Sequence, residues 1–415
     1  MFCNSGIAVQ HFAYRPRVTA LWHTFRMVED PEIATLEGGT RRPDLTKWDA
    51  RDAHKTVVLL GAGASADAGL PTAQQLHAAL ATRLPPLYVN VANLMFPGEP
   101  VDVERLFRVL EFLHQIELDT RSAQPILPTS ERPEQLDIAR LVKEWLPDID
   151  QHLASQRGAV GASPMGQLID QLWIELCDLL WMDTPIGHNL GYLAYILRAT
   201  AGGTIVTLNY DNSFERANQI GVAQRVNSGP YPGTYVPQPT PDETQPVRLI
   251  KLHGSLGWQY DEEYYGGVNA LLEDGLPGRV SVWRNKRHPV ESPAVIFGAG
   301  NKLRSDGPFL DMFMEFKQAL TNAERLIVIG YSGGDAHVNT LIREWVSSHD
   351  GPRLVRFNVY GEEYVGKDEA EVAREFAEGL TGANPYAQIQ VVYGRATEEI
   401  DRLMAPDSGL VHKTQ

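Results

Sequence analysis

The sequence predicts an α/β fold in which helices cover both faces of a mostly parallel, doubly wound sheet, with a helical insertion interrupting it. Short β-branched and aliphatic runs alternate with stretches of helical periodicity. Clusters of glycine and small polar residues stand directly after four of those runs, where an open parallel sheet borders its ligand crevice. At 43% hydrophobic and 21% charged over 415 residues, the composition is that of a folded chain rather than a disordered or coiled-coil one.

Residues 1–54 show no steady periodicity and carry a charged, Gly-containing passage at Glu37–Arg42, so they are expected to form a weakly ordered extension. Thr56–Leu60 is the first strand, closed by Gly61-Ala62-Gly63-Ala64-Ser65 and an Ala-rich, Leu-spaced helix from Ala73 to Leu84. Asp102 caps the next helix, whose apolar face is Val103, Leu106, Phe107, Leu110 and Leu113. Helical patterns recur at Ile138–Trp145, Gly166–Leu180 and Leu190–Leu197, so residues 75–200 read as a helical insertion, broken near Pro125, Pro128 and Pro133. Strand character returns at Thr204–Leu208 before Asn209-Tyr210-Asp211, with a helix starting near Phe214. A Pro-rich loop from Pro230 to Pro246 leads to a strand over Val247–Leu252, which ends in His253-Gly254-Ser255. Residues 259–292 read as loop, and Val295-Ile296-Phe297 is short and apolar. Helix Phe309–Leu320 then precedes strand Leu326–Ile329, which stops at Gly330-Tyr331-Ser332-Gly333-Gly334-Asp335. Helix His337–Val346, strand Leu354–Tyr360, helix Glu369–Glu378 and strand Ile389–Val392 complete a catalytic domain over 55–405, leaving 406–415 as a tail.

The same sequence excludes several functions. Its net charge of -15 repels phosphate backbones, so direct nucleic-acid binding is not expected. Cys3 and Cys177 are too few for a disulfide framework or a four-cysteine zinc site, and no cluster has metal-ligand spacing; no metal is expected, and a reducing cytoplasm fits. No apolar run reaches the roughly 18 residues needed to cross a bilayer, and no membrane association or leader peptide is expected. There is no GxxxxGK[ST] phosphate loop and no GxSxG nucleophile elbow.

The strand-end clusters carry the chemistry. Glycines allow a tight turn and close backbone approach, and a helix beginning just after them aims amide groups at phosphate. The first loop holds Gly61 and Gly63, with Ala66 at the usual third glycine position. Asn209 has donor and acceptor capacity to orient water or an amide, and an ionised Asp211 is an acceptor that favours developing positive charge. His253 titrates near neutrality and can take a proton from a hydroxyl or from attacking water. Each has a structural alternative: Asn209 and Asp211 suit helix caps, and His253 suits a turn. Ser332 and Asp335 suit the cap of helix 337–346, and Asp102 with Glu104 suits the start of an amphipathic helix. Trp173, Trp181, Met182 and Tyr192 read as packing residues or oligomer contacts.

In combination and in order, these clusters resemble the sirtuin family, with its Rossmann-type sheet. GAGAS followed by AGLP resembles the family's first nucleotide loop (Gly61, Ala62, Gly63, Ala64, Ser65, Gly69). TLNYD resembles its Asn-x-Asp motif (Asn209, Asp211), and LHGS its catalytic-histidine motif (His253). GYS resembles its later ribose-phosphate loop (Gly330, Ser332), and FNVY places Asn358 where the family has a strand-end Asn near the adenosine. The family's zinc domain has no counterpart, and the long helical insertion is similar to that of the sirtuin-like effectors of bacterial anti-phage defence. That resemblance implies a hydrolase taking NAD as its substrate and depleting it in an infected cell, in a homo-oligomer and with a HerA-type ATPase as partner. NAD-dependent protein deacylation and a non-catalytic module sensing NAD or ADP-ribose are the two alternatives.

Overall fold

A computed structural model describes residues 50–121, 164–182, 188–219, 226–227, 247–260, 268–270, 293–297, 308–348, 353–359, 367–376, 379 and 387–405. The N-terminal extension up to residue 49, the helix expected at 138–145, the Pro-rich loop and the C-terminal tail lie outside them. By contacts the chain divides into Met1–Arg42 and Pro43–Gln415, and every described residue belongs to the second unit.

Ten strands are described: β1 (Thr56–Leu60), β2 (Thr204–Thr207), β3 (Val226–Asn227), β4 (Val247–Lys251), β5 (Gly254–Tyr260), β6 (Val268–Ala270), β7 (Pro293–Val295), β8 (Arg325–Ile329), β9 (Arg353–Val359) and β10 (Ala387–Tyr393). Seven form one sheet in the order β10-β9-β8-β1-β2-β4-β3, with every neighbouring pair parallel. All five residues of β1 and of β8 are buried, as both faces of a helix-covered parallel sheet require. Alternate side chains feed different cores. Val58, Leu60, Ile205 and Ile327 meet the helices Gly191–Ala199, Ser213–Gln219 and Ala396–Met404. Val57, Leu59, Val206 and Val328 meet Phe309–Asn322, Ala336–Ser347 and Glu369–Phe376. This is a Rossmann-type doubly wound fold. The chain builds outward from β1 to β2 and β4, then returns to place β8 on the other side of β1. The strand order therefore reverses between β1 and β8, where such folds hold their ligands.

The insertion has its own core. Leu80, Tyr88, Leu106, Leu110 and Leu172 join the helices Ala73–Arg83, Pro86–Met95, Val103–Arg121 and Pro164–Leu180. The first of these opens with a capping box between Thr72 and Gln75, and the second has Pro86 at its first position, where a missing amide hydrogen costs nothing. Helix Gly191–Ala199, grouped with the insertion on sequence grounds, packs instead in the sheet core. A second departure is a three-stranded antiparallel sheet, β6-β5-β7, which includes residues read from sequence as loop. Among the described residues no helix is long and apolar enough to cross a membrane.

Candidate active site

A cavity of about 470 Å³ lies at the carboxyl ends of β1, β2, β4 and β8. Two glycine loops form its floor by backbone contact. The Gly61 amide donates to the Ile329 carbonyl and the Gly63 amide to that of Gly330, both at 3.0 Å. A Cβ on Gly61 would sit 2.5 Å from the Gly330 oxygen, so no larger residue fits. Gly61, Ala62 and Ser65 from the first loop, and Gly330, Ser332 and Gly334 from the other, line the cavity. The amides of Ala62, Ser332 and Gly334 donate to no described residue, leaving them available to an anionic ligand.

Asn209 follows β2. Its Nδ2 donates to the Gly61 carbonyl and to Ser65 Oγ, each at 2.9 Å. Because a carbonyl can only accept, these bonds fix the amide orientation and leave Oδ1 as an acceptor at the cavity wall. Asn209 is therefore committed as donor to the loop, which narrows its expected two-sided role to acceptance. Asp211 Oδ1 accepts from the amide of Ser213, the first residue of helix Ser213–Gln219, at 2.9 Å, and the residue also lines the cavity. Asn212 brackets the Met182 backbone with two 2.9 Å bonds, tying the end of the insertion to this loop.

His253 follows β4 in the turn to β5 and is buried at the cavity wall. Its Nε2 lies 2.9 Å from Asp335 Oδ2. Asp335 is the N-cap of helix Ala336–Ser347, accepting through Oδ1 from the His337 and Val338 amides at 2.9 and 3.1 Å. The cap and the site contact are thus one residue using two oxygens.

Lys251, only 1% exposed, reaches three acceptors: the Asp211 carbonyl at 2.6 Å, Ser255 Oγ at 3.0 Å and Glu215 Oε1 at 2.9 Å. All three ammonium hydrogens are placed, and the Asn-x-Asp loop is bound to the His-Gly-Ser turn. Tyr210 donates from its hydroxyl toward Glu104 Oε1 at 2.7 Å and the Ile296 carbonyl at 3.0 Å. Burial, then the charge of Glu104, push its phenol well above the ordinary 10.0. Its ring packs on Phe297 and faces His253, while Phe297 meets Phe107 and Trp173 of the insertion. Asp102 accepts from the Arg105 amide at 3.1 Å, the expected cap, and lines the cavity with Glu104. Among the described residues, four carboxylates, one histidine and no lysine or arginine line the cavity. Such a wall favours a cationic group on its ligand and leaves any phosphate to backbone amides.

Of the residues singled out from sequence, Gly61, Ala62, Ser65, Asn209, Asp211, His253, Gly330 and Ser332 share this cavity. Gly63 and Ala64 shape the loop without lining it; the Ala64 carbonyl accepts from the Tyr192 hydroxyl. Gly69 stands behind the loop with φ 93°, a left-handed conformation suited to glycine. Asn358 is not among the lining residues, and its Nδ2 donates to the Gly394 carbonyl at 2.8 Å, securing the end of β10. Sequence reasoning missed Lys251 and Tyr210, and left Asp335 undecided between cap and site. A lysine at the end of an apolar strand, next to the His-Gly-Ser turn, was the available signal for the first. Among the described residues no group of three or more His, Cys, Asp or Glu could hold a metal ion.

The fold and site define a parallel α/β protein whose polar loops converge on one cavity at the topological switch point. Residues 203–378, less than half of the chain but including the Asn-x-Asp, His-Gly-Ser and Gly-Tyr-Ser clusters, match the sequence model of the SIR2-like domain. No curated protein sequence matches. Similar solved structures include a SIR2 homologue–NAD complex, at 14% identity, covering 86% of this chain and 91% of that one, with a TM-score of 0.38. They also include a mutant Sir2 homologue with ADP-ribose, at 16% identity, covering 86% and 93%, with a TM-score of 0.37.

Proposed function

We propose that the chain is an NAD hydrolase, releasing nicotinamide and ADP-ribose, and that it serves as the effector of an anti-phage abortive-infection system. The observation that carries the catalytic part is the meeting of Asn209, Asp211 and His253 with both glycine loops in one cavity. Cleaving the nicotinamide–ribose bond develops positive charge on the ribose carbon. Asp211 supplies negative charge for it, and Asn209 Oδ1 accepts from the attacking water or a ribose hydroxyl. His253 takes the water proton as the C–O bond forms and nicotinamide departs with the electron pair of the broken C–N bond. The match of residues 203–378 to the SIR2-like domain agrees with NAD as substrate.

The defence role rests on the resemblance of the helical insertion to that of sirtuin-like phage-defence effectors. Because unchecked NAD depletion kills the producing cell, we infer a cytoplasmic homo-oligomer restrained until a partner, first a HerA-type ATPase, activates it. Turnover of NAD with and without an acyl-lysine peptide, and with and without the co-expressed ATPase, tests the reading. Nicotinamide and ADP-ribose released without peptide, faster with the ATPase, is the expected result. Release that requires the peptide indicates deacylation, NAD binding without product indicates a sensor, and equal rates with and without the ATPase end the partner proposal.

A further inference from the structure

The pairing of His253 with Asp335 extends the proposed site by one residue. Both side chains are about 5% exposed, and the 2.9 Å contact spans 82 positions of sequence. Asp335 cannot swing away. One oxygen is held by the amides of His337 and Val338, its own amide donates to the Tyr331 hydroxyl at 2.9 Å, and that hydroxyl also contacts Asn339 Oδ1 at 2.9 Å. The Asn339 Nδ2 in turn holds the Gly333 carbonyl at 2.7 Å. An ionised carboxylate only accepts, so the imidazole nitrogen facing it must carry the hydrogen. Near the pair stand the Tyr210 ring beside His253, the Glu104 carboxylate on the Tyr210 hydroxyl, and His337 Nδ1, 3.8 Å from Asp335 Oδ1.

We propose that Asp335 is the positioning residue of His253: it holds the ring as the Nε2–H tautomer, makes Nδ1 the nitrogen that takes the proton, and stabilises the imidazolium formed. In the hydrolysis the water oxygen bonds to the ribose carbon, the water proton passes to Nδ1, and nicotinamide leaves with the C–N electron pair. The imidazolium later returns the proton to solvent. The part played in turnover rests on the NAD hydrolase reading; the tautomer does not.

The test is nitrogen NMR on ¹⁵N-histidine-labelled protein, with the His253→Gln variant assigning the signal, together with NAD turnover, in wild type and Asp335→Asn. Asparagine also caps helices, so the variant keeps the fold while turning an N–H toward Nε2. Wild type is expected to keep Nε2 protonated throughout while Nδ1 titrates. In Asp335→Asn the proton moves to Nδ1 and kcat falls by about 10²–10⁴-fold, the scale for misdirecting a catalytic imidazole, with little change in NAD affinity. Protonation of wild-type Nδ1 in the neutral ring, or an Asp335→Asn variant with unchanged tautomer or turnover, overturns the proposal. The wild-type tautomer in a protein that does not hydrolyse NAD refutes the hydrolase reading and leaves the His253–Asp335 assignment standing.

Discussion

Gly63 and Gly330 meet with no side chain between them: the carbonyl of Gly330 accepts the Gly63 amide, and a Cβ added to Gly330 would lie 2.1 Å from the Ala64 nitrogen. Gly330 also has φ 63°, which costs an L-residue roughly 1 kcal/mol before any collision. Gly330→Ala is therefore expected to lower stability by more than about 2 kcal/mol, because the clash is with backbone that cannot rotate away. It should also abolish NAD binding, seen as loss of the ligand-induced rise in Tm. Gly191→Ala, where an added Cβ meets nothing within 4 Å, should leave both unchanged.

Lys251 predicts a different failure. Lys251→Met would strip the Asp211 carbonyl and Glu215 of their buried cation, and Glu215 Oε2 already has no hydrogen-bond partner. Breaking one side of such a pair costs about 3–5 kcal/mol when fully buried; with Glu215 23% exposed, about 2–4 kcal/mol is expected in urea unfolding. Adding Glu215→Gln should recover part of the loss, because it removes the stranded charge.

Four phenols, three of them on buried residues and that of Tyr210 on a half-buried one, set a limit in alkali. Burial raises Tyr88, Tyr192, Tyr210 and Tyr331 above their ordinary 10.0. The folded state thus keeps protons that the unfolded state loses. Stability is fully present below pH 10 and falls as pH rises from there toward the folded values, by up to about 1.4 kcal/mol per pH unit for each phenol. Urea midpoints between pH 9 and 11 should drop steeply only above 10, and Tyr210→Phe should soften the slope.

The carboxylate-lined cavity predicts a preference for the cationic, oxidised nicotinamide. NAD should bind more tightly than NADH by about 1 kcal/mol, the scale of one partly screened charge contact, as measured by calorimetry. Asp211→Asn should narrow that difference. Equal affinities would mean that the nicotinamide lies away from Asp211.

The sheet was legible because each central strand is a short apolar run closed by glycine or a polar cluster, as Thr56–Leu60 and Arg325–Ile329 show. The site was legible where chemistry follows a strand end, so Asn209, Asp211 and His253 stood out. Helix Pro86–Met95 falls inside the stretch read as helical, but its start was not marked there, although Pro86 stands at its first position. Strand β5 was hidden by Gly254 and Gly257 and by its two short partners. The roles of Asp335 and Tyr210 arise from pairings across 82 and 106 positions, which local pattern does not encode. Lys251 passed unremarked within the strand Val247–Leu252, because its three acceptors come from other segments or from the far side of a turn.

The most direct test of the central claim is chromatographic measurement of nicotinamide and ADP-ribose formed from NAD by wild type, Asn209→Ala and His253→Ala, each checked for an unchanged fold. Hydrolysis at this site requires one-to-one release by wild type and loss of at least about 10²-fold in either variant, as expected for removing an acceptor or a base from the reacting centre. Wild-type rates in both variants would contradict it, as would the absence of product from a wild-type protein that binds NAD.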